Sequence, residues 1–521
     1  MNLRVVYTNR FLRPQLCIIC GLTWAGGVYA ANWNGNISVA PSIAYTDNVC
    51  LSKDNKQGDW TAVGLLTPSG SVSRKTRKSS FSARGSVQVN TLTNGDLEDK
   101  GCGGDNLGDR QTFFPSITAL GSTVVIDDWV NLNATLRADQ NEVTSALPSS
   151  NDNLNRNGNT NTFYRYSLSP ILSHRLKNQA KYTLRYTYDD QINTSDAVSD
   201  STRHLLNTSL ASGRESRVSW DLSGRYSRVE YNDEVFNRYT GEFGQREDSK
   251  LRSAGLTLGY QFNRKWQVNG RYGWEWNDFR TFNGQDPSGS DWDVGLRWTP
   301  TERTTVEVGS GDRFFGTTPR VNIKHQRKRS LFRASYRKTI TYQRDISTLN
   351  DGFFSGNTVE ESLINNGNVD QEFIVGTGAN SSLYSNGPIL DERGTLGYTY
   401  TGRRATTDVF GSYSEQTRAE DGAQGVFKNV TVSFSPKISR TYSLTGSITW
   451  DNNDPLGYKG VPGNVQDFGE SEAWYYSLQV SRPLNNRMSL SVNYQYTDRQ
   501  SDDPFNEYQE NRVIATLNIS L

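Results

Sequence analysis

Four cysteines and three histidines are the residues of this chain best suited to covalent or metal chemistry. Cys17 and Cys20 follow Leu16 and Ile19, bulky residues where a lipid-modified cysteine needs a small one, so both read as part of a leader. Cys50 and Cys102 fall in two polar segments predicted to lie on the same side of the fold. In an oxidising compartment they are expected to form a disulfide; the alternative is two free thiols. His174, His204 and His325 share no ligand spacing such as HxxxH, and no Cys/His cluster fits zinc. Serines and aspartates are so frequent that a Ser-His-Asp triad means nothing without geometry. Acidic groups at Asp96, Glu98, Asp99, Asp105 and Asp109, at Asp451 and Asp454, and at Asp502 and Asp503 offer oxygen ligands for Ca²⁺. Their spacing matches no EF-hand, and a solvated loop explains them. The reading is a non-enzyme with no catalytic, cofactor or metal site.

The more informative charges are those that alternate with apolar residues. Arg84, Gln88, Arg137, Lys181, Arg185, Arg225, Arg271, Glu275, Arg297, Arg333 and Arg337 occupy the polar positions of alternating segments. Successive side chains of a strand point to opposite faces. In Trp266–Trp276 one face carries Trp266, Val268, Gly270, Tyr272, Trp274 and Trp276, and the other Gln267, Asn269, Arg271, Gly273 and Glu275. The split recurs in Phe81–Asn90, Val130–Arg137, Ala180–Asp189, Trp292–Trp298, Leu444–Trp450 and Leu490–Tyr496. Such a polar face would line a lumen and set solute preference, unless its charges pair with one another across a filled interior.

A soluble sandwich also alternates. Three details favour a membrane-spanning barrel. Trp or Tyr often ends the apolar face, as in Trp266/Trp276 and Trp292/Trp298, where aromatic rings suit the headgroup level. The strands run roughly 9–13 residues, enough for a tilted strand to cross a bilayer. Connections alternate in length: short ones near Arg74–Lys78, Ile126–Asp128, Lys177–Gln179, Asn263–Lys265, Gln326–Arg329 and Leu484–Arg487, mostly long polar ones between. Two intervening connections, near 313–319 and 417–425, look short. The expected fold is all-β: a transmembrane antiparallel barrel of about 22 strands (roughly 18 to 24), with short periplasmic turns and long extracellular loops. The segments near 60–72 and 304–325 are its weakest strands. Backbone groups within a bilayer must pair internally, so the sheet has to close. The last segment alternates through Val513, Ala515, Leu517, Ile519 and Leu521, a strand of the kind barrel-assembly machinery reads.

The chain opens on a processing signal. Arg4, Arg10 and Arg13 precede the short apolar run Leu16–Trp24, and Val28-Tyr29-Ala30 predicts cleavage after Ala30. The domains are thus a signal peptide, 1–30, and a barrel, 31–521. The apolar run is too short for an anchor, which needs ~20 residues, and no later stretch is long and apolar enough for a transmembrane helix. The leader holds three of the 56 basic residues and no acidic one, leaving 53 basic against 55 acidic, a formal charge of −2. That balance argues against a nucleic-acid partner. About 22 strands enclose a lumen too wide for wall side chains to fill. The candidate plug is 343–390, a long loop that folds into the lumen or over its mouth, with Phe353, Phe354, Ile364, Phe373, Ile374 and Val375.

The segments ISVAPSIAYTDNV (Ile37–Val49), RPLNNRMSLSVNYQYTDRQS and YQENRVIATLNISL resemble the opening strand and closing hairpins of outer-membrane β-barrel porins associated with exosortase/PEP-CTERM and exopolysaccharide systems. The final Leu521 departs from the more usual Phe, and the resemblance does not account for the loop cysteines. It implies the outer membrane of a Gram-negative bacterium and a link to surface polysaccharide. The expected function is a passive pore or conduit, with outer-membrane lipid, barrel-assembly machinery, polysaccharide and a periplasmic export partner as partners. No GxxxxGK[ST] motif supplies drive. Two alternatives stand: a non-conducting structural barrel that binds polysaccharide or an envelope partner, and an outer-membrane hydrolase.

Overall fold

The computed structural model describes residues 33–53, 60–92, 113–143, 145, 147–148, 153–154, 159–177, 179–195, 198–213, 217–232, 234–237, 242–245, 248–346, 383, 385, 387–439, 441–455 and 469–521. The expected leader, the bulk of 343–390, the acidic group at 96–109 and Cys102 lie outside them.

The expected barrel is what forms. Every sequential neighbour pairs antiparallel, and the last strand, Tyr508–Ser520, returns to the first, Asn34–Thr46, in a register that sets Tyr45 opposite Val513 and Ser38 opposite Ser520. The wall has 22 strands, counting Gly316–Thr317 and Arg320–Gln326 as two pieces of one strand, since both pair with Thr304–Arg313. This interruption falls in one of the two regions expected to be weakest. The other becomes the regular strand Thr61–Lys75. A separate ribbon, Glu234–Asn237 with Glu242–Gln245, sits in an outer connection. Uninterrupted strands run from 10 residues (Trp266–Glu275) to 17 (Thr160–Leu176). The longer ones exceed what a bilayer crossing requires, so the wall stands beyond the membrane.

The two faces separate as the alternation requires. Tyr272, Trp274, Trp292, Val294, Leu256, Leu258, Leu478 and Val492 all point outward and are exposed. A water-soluble protein would bury such a belt; here it is the surface that meets lipid. Trp266 stacks on its cross-strand partner Trp298, ring centroids 5.4 Å apart, near the short-turn end. At the turns Asp127–Trp129 and Lys177–Gln179, Asp128 (φ 62°) and Lys177 (φ 44°) adopt the left-handed backbone that lets so short a connection reverse a twisted hairpin. Both described termini lie at this short-turn end, where Leu521 N donates to Ile37 O at 2.9 Å.

Candidate functional site: the lumen wall and the root of the long loop

The pairing registers put the charged positions singled out from sequence on the side opposite the lipid-facing aromatics. Arg137 pairs with Asp139 at 3.2 Å and lies over the Phe163 ring; Arg271 pairs with Asp291 at 2.9 Å; Arg297 pairs with Glu307 at 3.3 Å. Arg313 Nε donates to Glu275 Oε1 at 2.7 Å, and Gln88 Nε2 to Asn90 Oδ1 at 2.9 Å. Arg185 is buried, whereas Arg225 faces inward yet is exposed. Arg84 lines a hollow, described below. Lys181 is opposite Ala211 and Arg175 in its two ladders, Arg333 opposite Lys324 and Gly397, and Arg337 opposite Arg320 and Arg393. Part of the wall is therefore self-paired, and elsewhere basic residues stand opposite one another across the ladders.

Glycines make room for the long guanidinium groups of the middle wall. A Cβ on Gly295 would stand 2.2 Å from Arg320 Nη2, and one on Gly255 2.9 Å from Arg271 Nη2. Without side chains there, Arg320 lies across the sheet and reaches Asp293 at 2.5 Å. This packing turns the arginines along the wall.

At the loop end the interior is filled. The chain leaves the wall after Tyr342 in a single helical turn, Gln343–Ile346, in which Gln343, Arg344 and Ile346 are buried. Arg344 forms an ion pair with Asp189 on Ala180–Asn193 and donates through Nη1 to Ser201 O at 3.2 Å. Seven strands separate that wall from Ser330–Tyr342, so the turn reaches inward across the lumen. Asp189 also accepts from Arg165 (2.8 Å) and Arg203 (3.1 Å), and these two arginines hold Asp345 at 3.1 and 3.0 Å. Burial alone would raise the Asp345 pKa, but the guanidinium groups of Arg203, Arg165 and Arg344 hold it below the ordinary aspartate value. The far end of the segment is tied as well: Ser385 N donates to Gln343 Oε1 at 2.7 Å and Leu383 N to Gln416 Oε1 at 2.9 Å. Tyr342 Oη meets Ser249 Oγ at 2.9 Å.

Other outer connections fold inward too. Leu154 packs on Ala44 and Val63, both inward-facing. Asn90 Nδ2 donates to Asn153 O at 2.6 Å, and Phe282 N to Ala419 O at 2.7 Å. The result is a mouth constricted by polar contacts whose partners come from distant strands.

The short-turn end differs. A hollow of about 400 Å³ is lined by Asn36, Ser38, Ser69, Ser71, Arg84 and Ser116, with neighbouring small and hydroxyl side chains. Inward-facing Lys75, Arg175 and Arg297 are exposed. The interior here is open to water among the described residues.

The remaining candidates have ordinary neighbours. His174 stacks on Trp129 at 3.7 Å, His204 Nδ1 meets Tyr186 Oη at 2.8 Å, and His325 Nδ1 meets Thr304 Oγ1 at 2.8 Å. The Asp451 carboxylate accepts from Asn429, and Asp503 caps the short turn Pro504–Asn506. Cys50 lies in the first outer connection. Of the ion cluster, Arg165 and Arg203 could have been found by continuing the alternation along their strands, as Asp189 was. Arg344 and Asp345 carried no signal, because their partners are remote in sequence.

No family model matches the chain, and no curated protein matches it. Solved structures do. The siderophore receptor PirA from Acinetobacter baumannii superposes with a TM-score of 0.52 at 10% identity, covering 94% of this chain and 81% of that one. A variant of the ferric enterobactin receptor from Pseudomonas aeruginosa gives 0.50 at 11%, covering 95% and 82%. The FrpB iron transporter from Neisseria meningitidis gives 0.50 at 10%, covering 94% and 83%. At such identities the likeness is one of fold: a closed 22-strand antiparallel barrel of the outer-membrane kind.

Proposed function

We propose that this protein is an outer-membrane conduit for a polymeric carbohydrate, with a lumen open at the short-turn end and gated at the loop end by the segment rooted at Gln343–Ile346. The short turns face the periplasm and the long loops the exterior, as is the habit of such barrels. The carrying observation is the interior itself. Inward-facing polar side chains stand in solvent at one end, and a four-residue turn folds across the lumen into an ion cluster at the other. The mechanism is passive. Ser, Asn, Gln and Arg on the wall exchange hydrogen bonds with a hydrated solute, and a periplasmic partner delivers the chain. The link to exosortase and exopolysaccharide systems rests on the sequence resemblance. The siderophore ligands in the names of the structural neighbours carry no weight at 10–11% identity. In this reading 1–30 is removed as a signal peptide, Cys50 pairs with Cys102 across neighbouring outer loops, and assembly machinery inserts the barrel.

The test is conductance in planar bilayers. The full chain should conduct weakly or in brief openings, and a variant lacking 347–382 should conduct steadily. A shortened barrel that inserts and never conducts sinks the proposal. That outcome would favour the second reading, a non-conducting structural barrel, for which the buried Arg165–Asp189–Arg344 contacts are the supporting observation.

A further inference from the structure

The charge on the two ends of the barrel is of opposite sign. The short connections between consecutive barrel strands carry 16 Lys and Arg against 4 Asp and Glu. The connections at the loop end carry 10 against 31. Every described basic residue in the short connections is exposed, and among the described residues only Lys78 has a carboxylate partner there, Asp127 at 2.6 Å. The three-residue turn Arg327-Lys328-Arg329 and the pair Arg403-Arg404 sit in adjacent connections, because the strands Ser330–Tyr342 and Pro388–Thr401 between them are neighbours. A basic ring of this kind around a low-dielectric mouth attracts anions and raises their local concentration.

Three partners of that sign compete: an anionic lipid headgroup, an acidic protein docked on the rim, and an acidic chain that enters. The inner wall decides between them. Positive charge predominates on the lumen-facing positions above the ring, at Lys75, Arg175, Lys181, Lys324 and Arg333 against Asp221 and Asp408. A lipid headgroup reaches none of these, and a partner docked on the rim has no use for them. The hollow beside Arg84 adds hydroxyl and amide groups from Asn36, Ser38, Ser69 and Ser116. Such groups complement hydroxyl-bearing sugars, while a guanidinium pairs with a carboxylate.

We infer that the solute is an acidic polysaccharide, and that it enters at the basic short-turn end. The inference rests on the conduit reading and specifies its substrate class.

The test uses the full protein in detergent, polygalacturonate of about ten sugars as probe, and neutral dextran of the same length as control. Polygalacturonate should bind, dextran should not, and added salt should weaken binding, since exposed charges are screened. Replacing Arg327, Lys328, Arg329, Arg403 and Arg404 with Gln should raise the Kd at least about tenfold, a loss of roughly 1.4 kcal/mol. The same residues replaced by Lys where they are Arg should restore it. Lys181→Gln with Lys324→Gln should also weaken binding severalfold. Equal binding of dextran, or indifference to the turn substitutions, overturns the inference. A response to the turn variant but not to the lumen pair overturns it in favour of rim docking. Preference for phosphatidylglycerol nanodiscs over polygalacturonate overturns it in favour of lipid. A barrel that conducts but ignores polygalacturonate fails here alone; one that binds the polymer yet never conducts fails only as a conduit.

Discussion

At the loop end of the lumen, arginines and aspartates are buried among one another. At the short-turn end, side chains of the same types stand in solvent. Arg165 and Arg175 lie on one strand and face the same side, yet the first is enclosed by Asp189 and Asp345 and the second is exposed. Strand geometry does not separate them. What differs is the chain that arrives from outside: the turn after Tyr342, Leu154, and the residues that return through Leu383 and Ser385. A buried charge is tolerable only when it is paired and hydrogen-bonded, so the loop end is tightly interdependent. Exposed charges at the other end contribute little to stability and are available to a solute.

The largest expected effect comes from breaking the enclosed end at its hub. Asp189→Ala removes the carboxylate that Arg165, Arg203 and Arg344 share, leaving Asp345 to face all three, and should cost about 3–5 kcal/mol. Faster hydrogen exchange at 343–346 and faster proteolysis within 347–382 would report it. Unchanged exchange would mean that Asp189 is not what holds the turn. Next comes the pair Arg203 and Asp345. A double-mutant cycle to Ala should give a coupling of about 0.5–3 kcal/mol, the range for groups in one network. A coupling near zero would reduce the cluster to bystanders.

Acid should sharpen the comparison further. Asp345 has its pKa lowered in the fold, so its stabilising contribution is fully present above the ordinary value of 3.8 and is lost as pH falls through the depressed folded value. Between pH 7 and 5 the turn should stay closed; only below pH 3.8 should cleavage of the loop accelerate, and Asp345→Asn should abolish that rise. A pH response centred near 6 would point to a different group.

Smaller still is Gly295→Ala in the middle wall. The new methyl meets Arg320 and Asn269, both side chains that can give way, so the cost should be about 1 kcal/mol, at the low end for overpacking. The smallest effect belongs to Lys181→Ala at the open end, within about 0.5 kcal/mol in urea unfolding. A large loss there would show that the short-turn end is built like the other.

Much of the wall was legible from alternation. The lipid-facing positions of Trp266–Glu275 and Ala180–Asn193 followed from the period of two alone, because a one-residue slip would have put every tryptophan and tyrosine into the lumen. The two short outer connections, near 313–319 and 417–425, were legible from the few residues that separate the alternating segments on either side. Within the first, the break at Thr318–Pro319 has its local cause in the proline, which cannot donate to a ladder. The inward-facing arginines were legible as a set but not by role. Nothing local tells Arg271, whose partner Asp291 lies on the next strand, from Arg225, which stays exposed.

By itself, then, the amino-acid sequence determined the strands, their two faces and the unequal lengths of the connections, because each depends on neighbours one or two residues away. It also carried the opposite charge of the two ends, a matter of composition once the turns are located. Only the tertiary structure decided which inward charges are buried and which meet water. That depends on Arg344 meeting Asp189 and Leu154 meeting Ala44, contacts between segments more than a hundred residues apart that closure of the barrel brings within reach.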